Sequence, residues 1–218
     1  MRLRLDVREL VLASWVTDAD SVGRAVYPGL EPVRIGGEYL VSVAALRFAG
    51  GRLGALPVAP FAQLNVRTYV AYAGESAVYF LRSYVSLGGL GGALLGAPFR
   101  AARIRIRPGR VDVPAAGVSL PYAVGGGREA REPEAGELGA HELGLFEAAG
   151  LRAFRVRRGP ARWRPAEPAG TVRADALLAL GFDPDGPPAI VYTRDMWLET
   201  EVPARPAEPR SSESRSRR

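Results

Sequence analysis

Lysine and cysteine are absent from the 218 residues, and histidine occurs once, at His141. Each absence excludes chemistry. Without lysine there is no Schiff base, no covalent pyridoxal phosphate and no phosphate-loop lysine. Without cysteine there is no thiolate nucleophile, no thiolate metal site and no disulfide. One histidine cannot build a multi-histidine metal centre, so neither a metal nor another cofactor is expected. Side-chain amides are almost as scarce, limited to Gln63 and Asn65. The longest near-apolar stretch, Leu87 to Phe99, is glycine-rich and shorter than the roughly 20 residues a membrane helix needs. Arg4, Asp6, Arg8 and Glu9 interrupt the first apolar stretch and no cleavage pattern follows it, so no signal peptide is expected. A cytoplasmic location without a membrane segment is the resulting expectation.

What is present is arginine. It supplies all 29 basic side chains, against 23 acids, for a net charge of +6. That balance suits an anionic partner, but an arginine-, alanine-, glycine- and proline-rich chain without lysine is also what GC-rich coding produces. Coding bias does not explain clustering: residues 100–110 carry five arginines and no acid, and residues 152–164 carry six and no acid. Such stretches form either a nucleic-acid surface or the solvated face of a strand. Only Phe99, Phe154 and Trp163 accompany them, fewer aromatics than a single-strand stacking platform uses. The solvated face, partly neutralised by the acidic segment 129–147, is the favoured reading.

Hydrophobic patterning predicts a mainly β protein with a few short helices. Residues 10–16 read as a buried strand. Asp18 or Asp20 caps a short helix through Val26, stopped by Tyr27-Pro28-Gly29. Residues 31–49 read as two strands about Gly36-Gly37. Alternation is clearest over 63–85. Gln63, Asn65, Arg67 and Tyr69 share one side, a turn follows at Gly74-Glu75, and a second strand runs from Ala77 to Val85. Residues 87–97 suit a short helix or a loop, and 99–107 a strand with Arg103, Arg105 and Arg107 on one face. Pro108-Gly109 is a turn and 110–124 add a strand or two. Residues 125–142 read as an exposed, mobile acidic loop. Strand alternation returns over 150–158. Residues 174–181 suit a short helix ended by Gly181, Asp183 to Gly186 a turn, and Ala189–Tyr192 and Trp197–Val202 two final strands. The expected architecture is one domain over 1–202, a mainly antiparallel β-barrel or curved sheet enclosing a cavity, with 203–218 a disordered basic tail. Exposed strand edges leave a homodimer open.

Several strings resemble a known family. They are Leu64-Asn65-Val66-Arg67-Thr68-Tyr69-Val70, then Ala77-Val78-Tyr79-Phe80-Leu81, then Gly96-Ala97-Pro98-Phe99-Arg100-Ala101-Ala102-Arg103. Ala13 to Val16, Tyr27 to Leu30, Ala176 to Gly181 and Asp185 to Pro188 fit its opening and closing segments. Together they resemble the YqjF-like domain of unknown function, in the acetoacetate decarboxylase-like superfamily, over about residues 5–200. The resemblance implies a barrel or cone around an internal cavity. True acetoacetate decarboxylases carry Pro-Lys-Lys, whose first lysine forms the Schiff base. Pro98-Phe99-Arg100 stands in that place, where a phenyl ring cannot form an imine and arginine stays protonated. Schiff-base decarboxylation is therefore excluded unless another protein supplies the amine. The chain also departs from its closer relatives: Arg82-Ser83-Tyr84 replaces a Ser-Leu-Asp, and Arg157 to Trp163 replaces a His-His-Pro-Pro-Trp segment.

A two-residue turn at Gly74-Glu75 would place Arg67 opposite Arg82, Asn65 opposite Tyr84 and Tyr69 opposite Phe80, all on one face. Opposed arginines repel unless water, a carboxylate or an anionic ligand lies between them, and the planar guanidinium fork suits a carboxylate or phosphate. The candidate ligand-binding set is therefore Asn65, Arg67, Tyr69, Phe80, Arg82 and Tyr84, with Phe99 and Arg100 added from the resemblance. The alternative is that this face is exposed and the arginines splay into water. His141, beside Glu142, is a candidate general base but reads first as an ordinary exposed histidine. Gly117-Val118-Ser119-Leu120-Pro121 misses the nucleophile elbow at its last position, and the glycines around 88–96 make no phosphate loop. Three functions remain: a small-molecule binder, with an organic acid in an internal cavity; a lysine-independent lyase or hydrolase; and a nucleic-acid-binding protein.

Overall fold

The computed structural model describes residues 1–87, 96–125, 141–184 and 186–207. The expected acidic loop therefore lies almost wholly outside the described residues, as do much of the 87–97 stretch, one position of the Asp183–Gly186 turn, and the tail beyond Ala207.

In chain order the elements are β1 (Arg2–Thr17), α1 (Ala19–Ala25), β2 (Glu31–Pro32), β3 (Tyr39–Leu53), β4 (Leu56–Val58), β5 (Phe61–Tyr72) and β6 (Glu75–Val85). Then come β7 (Phe99–Ala101), β8 (Arg105–Arg107), β9 (Arg110–Val113), a 3-10 turn (Pro114–Ala116), β10 (Val118–Val124), β11 (Leu143–Glu147) and β12 (Leu151–Arg158). The last are β13 (Arg164–Pro168), β14 (Arg173–Ala174), α2 (Asp175–Leu178), β15 (Ala189–Glu201) and β16 (Arg205–Pro206). The sheet runs β16-β12-β11-β6-β5-β3-β1-β15-β13-β10-β9-β8, and a further pairing of β12 with β15 links its two arms. A strongly curved sheet results. The circuit β12-β11-β6-β5-β3-β1-β15 surrounds an interior, and β13 to β8 leave it to form an outer layer. The sheet is mixed rather than wholly antiparallel, because β6 pairs in parallel with both β11 and β7.

Two apolar cores follow from this curvature. The inner one collects Val7, Leu10 and Leu12 of β1, Ala44, Leu46 and Phe48 of β3, Tyr69, Val78, Val191 and Met196. The outer one joins the opposite strand faces (Val11, Ala13, Val43, Val66) to Val111, Leu120, Val22 of α1 and Leu177 of α2. β1 is buried on both faces, so Leu10–Trp15 reads as a continuous apolar run rather than an alternation. Each fully buried leucine or valine contributes about 1.5–3 kcal/mol. Asp18 caps α1 as expected, its Oδ1 accepting from the Ser21 N–H at 2.7 Å.

Several expectations are corrected. The β5–β6 turn is Ala73-Gly74, not Gly74-Glu75: both loop residues have positive φ, 53° and 86°, the conformation a two-residue hairpin turn requires, and Tyr72 pairs with Glu75. A bulge at Leu81 then shifts the register again. Arg67 lies opposite Phe80, Asn65 opposite Ser83, Tyr69 opposite Val78 and Arg82 opposite Val66, so the opposed arginine pair does not exist. The two final strands are one, β15, bent at Asp195 (φ 53°). The bend sends its halves to different neighbours: Ile190–Tyr192 to β13, Leu198–Thr200 to β12. The single strand expected over 99–107 is two, broken at residues 102–104. β11 and β13 were not anticipated. The chain also stays attached past 202, since Arg205–Pro206 pairs with β12 and the Ala207 N–H donates to the Leu151 carbonyl.

Candidate functional site: a cavity behind a notch in the sheet

β6 changes neighbour halfway along. Its residues Val78–Phe80 pair with β11 and Ser83–Val85 pair with β7. Leu81 and Arg82, at the bulge, pair with neither, and a notch opens in the wall there. A cavity of about 380 Å³ runs through the notch into the interior, within the usual range for small-molecule sites. Leu81, Arg82, Pro98, Phe99, Arg100 and Glu147 line it, together with Gln63, Asn65 and an apolar wall of phenylalanines and leucines.

The bulge is the local cause. Without it, Arg82 and Ser83 would each face the other side of β6. Arg82 is half-buried and Arg100 exposed, and among the described residues neither makes an ion pair. Asn65 is 5% exposed, and its Oδ1 accepts from Gln63 Nε2 at 2.8 Å. The Asn65 amide group and the Gln63 carbonyl oxygen remain for a ligand. The phenol of Tyr79, also in the lining, is pushed up to about 12, by burial first and by the Glu147 carboxylate second. It is therefore a neutral hydroxyl at neutral pH. Glu147 itself is exposed.

Of the candidate set, Asn65, Phe80, Arg82, Phe99 and Arg100 come together around this cavity. Arg67, Tyr69 and Tyr84 are not in its lining. Arg67 and Tyr69 lie farther along β5, with the guanidinium 5.7 Å from the Tyr69 ring centre and Nη2 3.4 Å from its hydroxyl. Tyr84 packs in the outer core. His141 is not the exposed residue expected: it is half-buried with its ring 5.0 Å from that of Tyr69. Arg103, Arg105, Arg107 and Arg110 are exposed, as a solvated strand face requires.

Sequence reasoning missed Glu9. It is 2% exposed, and accepts from Tyr122 Oη at 3.0 Å and from Arg47 Nη2 at 2.9 Å. Burial, then the Glu9 carboxylate, raise the Tyr122 phenol well above its ordinary value; the same causes raise Tyr192. A signal existed: Glu9 shares strand parity with buried Val11, Ala13 and Trp15. Among the described residues, no three His, Asp or Glu side chains converge as metal ligands, and no helix is long and apolar enough to cross a membrane.

Several solved enzyme structures share the fold. Acetoacetate decarboxylase from Legionella pneumophila is 11% identical, TM-score 0.65, over 94% of this chain and 86% of that one. The enduracididine biosynthesis enzyme MppR, complexed with pyruvate, is 15% identical, TM-score 0.62, over 93% and 89%. An acetoacetate decarboxylase-like enzyme from Sphingomonas wittichii is 14% identical, TM-score 0.63, over 94% and 92%. At such identities the likeness is one of fold. No curated protein sequence matches the chain. The DUF2071 family model, described as an uncharacterized conserved protein, matches residues 4–196, and the chain belongs to that family.

Proposed function

We propose that the protein binds a small organic acid in the cavity behind the notch, holding it without a covalent bond. The observation that carries this reading is the pairing of Arg82 and Arg100, neither in an ion pair among the described residues, with a largely apolar cavity. Guanidinium groups beside apolar walls favour an anion that brings its own apolar surface. Asn65 and Gln63 would orient a second polar group. In this reading the protein works in the cytoplasm and needs no cofactor. A lysine-independent lyase or hydrolase would need an acid–base group at the reacting centre. Glu147 is the one carboxylate in the described lining, and it stands exposed rather than enclosed with the apolar wall, where such a group would be needed.

Native mass spectrometry before and after denaturation tests the reading. A small acid released on denaturation, and lost from Arg82→Gln or Arg100→Gln, is the expected result. Retention of that molecule by both variants removes the arginines from the site and the reading with them.

A further inference from the structure

Among the described residues, charge in the cavity is limited to Arg82, Arg100 and Glu147, the last two of them exposed; the rest of the lining includes Leu46, Phe48, Phe80, Phe146, Phe154 and Leu198, with Thr200 beside them. The rings form a connected surface: Phe80 and Phe154 are 5.6 Å apart between centres, Phe146 and Phe154 5.9 Å. Phe154 holds its place because its partner on β11 is Gly144. A methyl group on Gly144 would collide with that ring. Phe154 and Thr200 also line a second hollow, of about 460 Å³, whose other walls include Arg155, Glu199 and Arg205. Phe154 and Thr200 are thus shared between the largely apolar cavity and the charged groove.

Resting on the acid-binding reading above, we infer that the ligand is a monocarboxylic acid with an elongated apolar body, alkyl or arylalkyl. Its carboxylate stays with Arg82 and Arg100 while the body fills the interior as far as Phe154. A compact polyanion would leave the phenyl walls unfilled, or carry charge into them at a large desolvation cost. An apolar body instead gains with every methylene buried, about fourfold in affinity each. Gly144 and Phe154 set where that gain stops.

The test is titration calorimetry of the full chain with straight-chain acids from acetate to decanoate. The matching alcohols, malonate and inorganic phosphate complete the panel. Affinity for the acids is expected to rise about fourfold per methylene to a plateau, with alcohols of equal length weaker and the compact anions weaker still. Phe154→Ala should move the plateau to longer acids and Gly144→Ala to shorter ones. A flat series with malonate or phosphate as tight as octanoate overturns the elongated ligand and leaves acid binding standing. A rising series with alcohols equal to acids, unchanged in Arg82→Gln, overturns acid binding and keeps the apolar interior as the binding element. No heat from any compound overturns both. A plateau unmoved in folded Phe154→Ala removes that ring as the end wall.

Discussion

Two places in this molecule hold charge against apolar surroundings, and they solve the problem differently. Glu9 is buried between the inner circuit and the outer layer, with Tyr122 and Arg47 donating to it. Arg82 and Arg100 sit at the notch with no ion pair among the described residues, facing a cavity. A buried carboxylate is tolerated only when its acceptor sites are filled, and Glu9 meets that condition with donors from two other strands, β10 and β3. The notch arginines avoid the cost by keeping contact with water. Among the described residues they therefore retain unfilled donors, the capacity on which the proposed binding rests. Charge satisfied internally serves the fold; charge left open beside a cavity is available to a ligand.

The largest effect expected from this contrast is at Glu9. Glu9→Ala leaves the Tyr122 hydroxyl without its acceptor and opens space between the layers, and should cost about 3 kcal/mol in chemical denaturation. A loss below about 1 kcal/mol would mean the pocket is hydrated and the contrast is weaker than drawn. Arg82→Gln and Arg100→Gln should do the reverse. Stability should stay within about 0.5 kcal/mol of the parent, while affinity for a carboxylate ligand falls about tenfold or more. A variant that loses stability in step with affinity would place its arginine with Glu9, as a structural charge.

The smallest effect lies in alkaline pH. Tyr79 and Tyr122 both have phenols raised above the ordinary 10.0, Tyr79 to about 12. The folded state thus keeps protons that the unfolded chain releases. The stabilising contribution is whole below pH 10 and declines as pH climbs from there toward the folded values. Unfolding free energy should therefore fall above pH 10, and Tyr122→Phe should flatten that fall at the cost of stability near pH 7. An unchanged alkaline slope in Tyr122→Phe would remove Tyr122 from the titration.

How legible the protein was in its sequence depended on the range of the interaction. The β5–β6 hairpin was plain because alternation over 63–85 is local, and α1 because Asp18 and Ser21 lie within one turn. Its register was not legible. Ala73 in a positive-φ conformation and the bulge at Leu81 are small local choices decided by packing on both sides of β6. Those two features removed the imagined Arg67–Arg82 pair, yet Arg82 still reached the cavity, joined by Arg100 from β7. β11 escaped notice because Leu143–Glu147 directly follows the acidic stretch and is only five residues long. The two halves of β15 looked separate because a non-glycine residue at positive φ leaves no mark in the sequence.

By itself the sequence determined what chemistry is impossible here and what kind of chain this is. The absence of lysine and cysteine excludes imine and thiolate chemistry whatever the fold, since those reactions need particular atoms. Alternation with turn residues determined a mainly β protein, since strand periodicity is a local property. Only the tertiary structure decided which charges are satisfied and which are open. Glu9 meets Tyr122 across 113 positions of chain, and Arg82 stands beside the Phe99–Arg100 segment through the parallel pairing of β6 with β7. Contacts of that span depend on how the sheet curves, and curvature is set by bulges and packing that no short window of sequence contains.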